Sequence, residues 1–245
     1  MTEFTVIYDG RIFNNTDELS KEFAEVLKGG VDSVKDKFNL ALSGGRTPKH
    51  LFKYLSDHYQ DKIQWDKINF FWGDERCVPP DSDESNYKMA FENLLSKVRI
   101  PQQSIFRIRG EDNPVEEAKR YSDVVKKIVK GEKEIPVFDL VMLGLGEDGH
   151  TASIFPDQLQ LFSDDKIYSA ASHPVTGQRR VTITGKVINN AHNIVFIVTG
   201  KSKSVVVAEI LINKIESKKY PASFVKPTKG KLIWLLDKEA ADLLK

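Results

Sequence analysis

Five apolar runs of strand length, Phe38 to Leu42, Ile68 to Trp72, Phe138 to Leu143, Ile194 to Thr199 and Lys231 to Leu236, are separated along this chain by longer stretches of helical period. Such alternation is the pattern of βα units, which build a mainly parallel sheet flanked by helices. The last four runs are almost uninterrupted, as expected of strands covered on both faces. The expected fold is therefore α/β, with smaller strands at Phe4 to Tyr8, Ile167 to Ala170 and Arg180 to Thr184 placed at the sheet's periphery. At 245 residues, 40% of them apolar, the chain can bury one full core, and residues 1–245 are read as a single domain.

Helix starts are legible between the strands. Asn113-Pro114 supplies a cap and a first-turn proline, with Glu116 three residues after the cap and Val115, Ala118, Tyr121, Val125, Ile128 and Val129 following. Thr16 to Lys28 carries Leu19, Phe23, Val26 and Leu27 on one face, and Gly29-Gly30 is the expected terminator. A third helix is expected from Thr47-Pro48, with Leu51 and Leu55 inward. Another begins at Ser85-Asn86-Tyr87, with Met89, Ala90 and Leu94 inward and Asn86 as a candidate cap.

Charge and cysteine content narrow the function classes. Lysine plus arginine number 36 against 35 aspartate plus glutamate, a net charge of +1, which gives no footprint for nucleic acid or an anionic membrane. Any cationic site must be local. The single cysteine, Cys77, excludes an internal disulfide framework and fits a reducing compartment. Met1-Thr2-Glu3-Phe4 shows no leader pattern, and no segment approaches the roughly 20 apolar residues that span a bilayer. A soluble cytoplasmic protein, monomeric or a small homo-oligomer, is expected. No histidine–carboxylate spacing suggests a metal, and neither metal nor cofactor is expected.

The chemistry is expected where strands end, because ligands of open α/β sheets bind in the crevice beyond the strands' carboxyl ends. Phe38 to Leu42 runs into Ser43-Gly44-Gly45-Arg46-Thr47-Pro48 and then a helix. Free N–H groups, the helix dipole, two hydroxyls and Arg46 make that turn a phosphate-sized anion site. A tight strand-to-helix connection capped by Thr47 is the alternative. Ile68 to Trp72 ends in Gly73-Asp74-Glu75-Arg76, where Arg76 can clamp a phosphate and Asp74 or Glu75 can accept from sugar hydroxyls or pair with an arginine. A salt-bridged surface loop is the alternative there. The third strand ends in Gly144-Leu145-Gly146-Glu147-Asp148-Gly149-His150-Thr151-Ala152-Ser153-Ile154-Phe155-Pro156. There an imidazole two residues from an acid can take a proton from water and return it, and N–H groups of the glycine turn are candidate oxyanion donors. Lys201, before a helix capped by Ser202, is a further phosphate candidate. Arg179 and Arg180 suit an exposed edge as well as a binding role. His50, His58, His173 and His192 are read as solvated or structural.

These segments, Leu42 to Pro48, Trp72 to Arg76, Ser85 to Tyr87 and Gly144 to Pro156, occur in the order found in the 6-phosphogluconolactonase family, which the chain closely resembles over roughly residues 38–205. The resemblance implies a Rossmann-like three-layer fold shared with glucosamine-6-phosphate deaminase and ribose-5-phosphate isomerase. It also implies hydrolysis of 6-phospho-D-glucono-1,5-lactone to 6-phosphogluconate in the oxidative pentose phosphate pathway. His150 is then expected as base and later acid, oriented by Asp148. Gly44, Gly45, Arg46, Thr47, Arg76 and Lys201 would hold phosphate and lactone oxygens, with Arg180 added from the Arg-Val-Thr strand. No serine or cysteine nucleophile is needed. An amino-sugar-phosphate isomerase or deaminase on the same fold is the competing enzyme; its loop typically reads Asn-Gly-His-Ile-Gly, whereas this one reads Asp148-Gly149-His150-Thr151-Ala152. A non-catalytic sugar-phosphate sensor is the reading from another class.

Overall fold

The computed structural model describes residues 8–132, 134–212 and 216–244. In chain order the elements are β1 (Tyr8–Phe13), α1 (Thr16–Ser33), β2 (Phe38–Leu42), α2 (Arg46–His58), β3 (Ile68–Trp72), β4 (Asp74–Arg76), α3 (Asn86–Ala90) and α4 (Pro114–Ile128). A short hairpin follows, β5 (Gly131–Glu132) and β6 (Ile135–Pro136), and then β7 (Leu140–Leu143), β8 (Tyr168–Ser172) and β9 (Arg179–Ile183). The chain continues through α5 (Gly185–Asn190), β10 (Asn193–Val198), α6 (Ser204–Leu211) and β11 (Lys231–Asp237).

Six strands form one parallel sheet in the order β1-β11-β10-β7-β2-β3, flanked by helices. All five apolar runs enter it with boundaries within two residues of those expected. Two strands are buried without exception, Leu140–Leu143 inside the sheet and Ile68–Trp72 at its edge. Of the strand expected over Phe4 to Tyr8, residues 4–7 lie outside the described residues. The described strand, Tyr8–Phe13, is the edge partner of β11. The other two peripheral strands, β8 and β9, form a separate antiparallel sheet with β4, in the order β4-β9-β8.

Helix α1 departs from expectation by running through Gly29 and Gly30 to Ser33. Two helical glycines cost about 2 kcal/mol together, but tertiary packing outweighs that. Val31 is fully buried, and a Cβ at Gly30 would sit 2.8 Å from Cε2 of Phe38, so the glycine lets the first residue of β2 close against the helix. The start is as read: Asn15 caps through Glu18 N, and Glu18 reaches back to Asn14 N. Asn113 likewise caps α4 through Val115 N and Glu116 N. Helix α3 is capped by Ser85, whose hydroxyl accepts from Lys88 N, so Asn86 is free for another role.

The two sheets join at Gly73. Its N–H donates to Leu42 O at 2.8 Å, prolonging the β2–β3 ladder, and its carbonyl accepts from Ile183 N at 2.7 Å, beginning the small sheet. Two buried tyrosines serve the backbone at this junction. Tyr121 accepts from Trp72 N, and Tyr168 donates to Trp72 O. Desolvation pushes both phenols above their ordinary pKa, so they stay neutral donors. Among the described residues no helix is long and apolar enough to cross a membrane.

Candidate active site

The carboxyl ends of β2, β7 and β10 and the cleft face of the small sheet surround a cavity of about 620 Å³. Two strand periodicities explain which charges face it. On β4, Asp74 and Arg76 share one side and line the cleft, whereas Glu75 points the other way. On β9, Arg180 lines the cleft and Thr182 shares its side, and Arg179 is exposed.

The β7 loop is folded around His150. Gly146 N donates to His150 O at 2.9 Å, Gly149 N to Gly146 O at 3.1 Å, and the Thr151 hydroxyl to Gly144 O at 2.9 Å. The Asp148 carboxylate accepts from His150 N at 3.1 Å and meets His150 Nδ1 at 2.6 Å. With Nδ1 engaged, Nε2 is the ring nitrogen left for a ligand. Burial alone would raise the Asp148 carboxyl, but the hydrogen bonds and charge of His150 outweigh it and hold the group below the ordinary aspartate value. A depressed carboxylate stabilises the fold above its unfolded pKa and loses that contribution as pH falls through the folded one. The pair is therefore intact at neutral pH. Asp148 is not part of the cleft wall, and its contact with the cleft runs through the imidazole. Ala152, at φ 49°, adopts a left-handed conformation that costs about 1 kcal/mol for a residue with a Cβ; on either side of it, His150 and Ser153 both face the cleft.

Of the N–H groups in this loop, those of Gly146, Gly149 and His150 have acceptors within it. The start of α2, at the end of the neighbouring strand β2, offers further donors. Gly45, at φ 109°, is the N-cap of α2 and gives no side-chain cap, so the N–H groups of Arg46 and Thr47 open onto the cavity. Thr47 is thus not the cap; its hydroxyl pairs with that of Thr199 at 2.7 Å.

A methyl at Gly146 would lie 2.1 Å from His150 Nδ1 and 2.5 Å from Asp148 Oδ1. Gly146→Ala is therefore expected to displace the imidazole and lower kcat by about 10²-fold, the penalty for misplacing a reacting group by an ångström, with little change in phosphosugar affinity. Steady-state kinetics beside product titration would check this; unchanged kcat would show that the loop yields freely.

Arg76 and Arg180 lie directly opposite each other in the β4–β9 register. Like charges so placed repel. Arg76 donates to Glu84 O at 2.5 Å, and the buried Nε atoms of both arginines have no partner among the described residues. Arg180 is only 8% exposed. Burial first, and then the Arg76 charge, push its guanidinium below the ordinary value. A buried guanidinium beside a half-buried one, both lining one cleft, suits a dianionic ligand.

Glu75 leaves the set of substrate ligands. It is buried behind β4 and accepts from Arg76 N, Asn86 N, Tyr87 N and the Ser85 hydroxyl, tying down the start of α3. Desolvation raises its pKa although these donors oppose the shift. Asp74 takes the cleft position, held by the Ser153 hydroxyl at 2.6 Å.

Lys201 is also corrected. It is exposed and does not line the cavity, because the chain makes a 3-10 turn over Lys201–Lys203 before α6 begins at Ser204, and Ser202 is not its cap. That turn carries Lys203 inward. Burial lowers the Lys203 ammonium, and Glu147, 3.8 Å away, opposes the shift. The only sign of this in the sequence is the apolar face of Val206, Val207 and Ile210, which starts late enough to leave a turn in front of it. Asn86, 2% exposed, was missed as well. Its amide donates to Asp74 O, and its side chain fills the space over Gly44, where a Cβ would lie 1.9 Å from Oδ1. The cavity brings together Gly44, Gly45, Arg46, Thr47, Arg76, His150 and Arg180 as expected, and adds Asn86, Lys203, His50 and His173. Cys77 is half-buried with its thiol pushed up by burial, a poor nucleophile.

The family model described as glucosamine-6-phosphate isomerases/6-phosphogluconolactonase matches residues 14–234. A 6-phosphogluconolactonase of Haemophilus influenzae is 42% identical over 207 residues, covering 84% of this chain and 87% of its own length. The crystal structure of devB protein matches with a TM-score of 0.93 at 40% identity, covering 98% of this chain and 100% of its own. A 6-phosphogluconolactonase from Trypanosoma brucei matches with a TM-score of 0.86 at 30% identity, covering 98% and 100%.

Proposed function

The chain belongs to the glucosamine-6-phosphate isomerase/6-phosphogluconolactonase family, and from that premise we propose that it is a 6-phosphogluconolactonase, hydrolysing 6-phospho-D-glucono-1,5-lactone to 6-phosphogluconate in the oxidative pentose phosphate pathway. One observation carries the reading to this molecule. An imidazole held through Nδ1 by a carboxylate shares a cleft with two arginines that face each other across β4 and β9, one of them buried, which suits a substrate with a reactive carbonyl at one end and a phosphate at the other.

A δ-lactone is an activated ester, so water can attack it directly. His150 Nε2 takes a proton from water as the water oxygen bonds to the lactone carbonyl carbon. The negative charge moves to the carbonyl oxygen, towards the N–H groups of Arg46 and Thr47. As the tetrahedral centre collapses, the bond from carbon to the ring oxygen breaks, and His150 returns its proton to that oxygen. Asp148 favours the tautomer with Nδ1–H and stabilises the imidazolium. Arg76 and Arg180 hold the phosphate, with Lys203 and Arg46 adding positive charge. The whole site is carried by a single domain.

The test is turnover of freshly generated 6-phosphogluconolactone, with the spontaneous rate subtracted, run beside ammonia release from glucosamine 6-phosphate. Rapid lactone hydrolysis without ammonia is expected. Ammonia release with no lactonase rate would move the chain to the deaminase branch.

A further inference from the structure

The sequence alone marks His173 as solvated or structural, yet the residue lines the cleft. It begins the turn between β8 and β9, where its N–H donates to Gln178 O and its carbonyl accepts from Gly177 N, each at 2.9 Å. Within that turn Nδ1 accepts from Val175 N and Thr176 N, both at 3.2 Å. Two backbone donors on one ring nitrogen fix the tautomer: Nδ1 is bare and Nε2 carries the proton. Among the described residues Nε2 has no hydrogen-bond partner. The ring is also fixed in orientation, packed edge-on against Phe155 at 5.1 Å between centroids, and Phe155 meets the His150 ring at 4.8 Å. His173 therefore stands one aromatic ring away from His150, and it directly follows β8, whose Ala171 is the cross-strand partner of Arg180.

We propose that His173 is a substrate-binding residue whose Nε2–H donates to an oxygen of the sugar portion, between the carbonyl attacked near His150 and the phosphate held at Arg76 and Arg180. The proposal rests on the sugar-phosphate reading of the cleft and deepens it. Its role is selection: an oriented neutral donor favours a polyhydroxylated ligand over a bare anion. One neutral hydrogen bond corresponds to about a tenfold change in affinity.

His173 also supports its own turn, so the test must separate the two roles. Asparagine at this position can accept from the N–H groups two and three residues on, as in an Asx turn, but its short side chain does not extend to the cleft. His173→Asn is expected to keep the wild-type Tm and kcat within threefold, to raise KM for the lactone about tenfold, and to weaken 6-phosphogluconate by the same factor. Inorganic phosphate, which needs only the arginines, should bind as before. His173→Ala is expected to show the same binding loss together with a lower Tm. Calorimetric titration of both ligands on both variants decides. Wild-type affinity of His173→Asn for 6-phosphogluconate would overturn the proposal. So would equal weakening of both ligands, which would mean the change acts through the sheet. If the wild type binds 6-phosphogluconate but hydrolyses no lactone, the lactonase reading fails, while the ratio of the two affinities still judges His173.

Discussion

Replacing His150 with alanine is expected to lower kcat for 6-phosphogluconolactone by about 10³-fold, within the range for removal of a positioned general base, with KM nearly unchanged. Stability should hardly move, because the His150 side chain is one-third exposed and its only hydrogen-bonded side-chain partner among the described residues is Asp148. Asp148→Asn should lose most of the same factor for a different reason. The asparagine amide can donate to Nδ1, which shifts the ring proton to Nε2 and removes the lone pair that water needs. Because the aspartate is held below its ordinary pKa, the acid limb of the wild-type rate profile should not report its protonation. Kinetics of both variants against background hydrolysis are the check. A His150→Ala enzyme within tenfold of wild type would move the base elsewhere in the cleft, and Asp74 would be examined next.

The second large effect separates affinity from stability. Arg180→Met should lower kcat/KM by about 10²-fold, the equivalent of about 3 kcal/mol for a buried charge-assisted contact to phosphate. The ligand-free variant should nevertheless be the more stable protein. Arg180 is buried opposite Arg76 and unpaired at Nε, so an apolar side chain of similar length removes both the repulsion and the desolvation of a cation, about 1 kcal/mol or more. Conversely, inorganic phosphate should raise the Tm of the wild type and leave the variant's nearly unmoved. Thermal melts with and without phosphate read both arms. A ligand-free Tm that falls in Arg180→Met would show that the guanidinium is structural.

The fold was legible because its strands are apolar on both faces and so read as unbroken runs, and because Asn113-Pro114 marks a helix start locally. Helix α1 overran Gly29-Gly30 for a reason no local signal carries: Phe38 packs on Gly30. The loop residues that bring function to the strand ends were legible for the same reason as the strands. Arg76 and Arg180 could be named singly, but only the β4–β9 register makes them a pair. Glu75 and Asp74 are adjacent in the sequence, and strand alternation alone sends one to cap α3 and the other to the cleft. Lys203 depends on a 3-10 turn marked only by the late start of the apolar face of α6, while Asn86 and His173 depend on a buried amide over a glycine and a hairpin's internal hydrogen bonds, which have no signature in composition or spacing.

Gly73 spends its N–H on one sheet and its carbonyl on the other. Neither sheet can fray at that point without releasing a bond of its neighbour, so the two walls of the cleft belong to one cooperative opening unit. A ligand that spans from the large sheet to the arginines of the small one closes that unit from the solvent side. Occupancy of the cleft is then registered in the slow amide exchange of Gly73 and Ile183, both buried and neither among the residues that line the cleft.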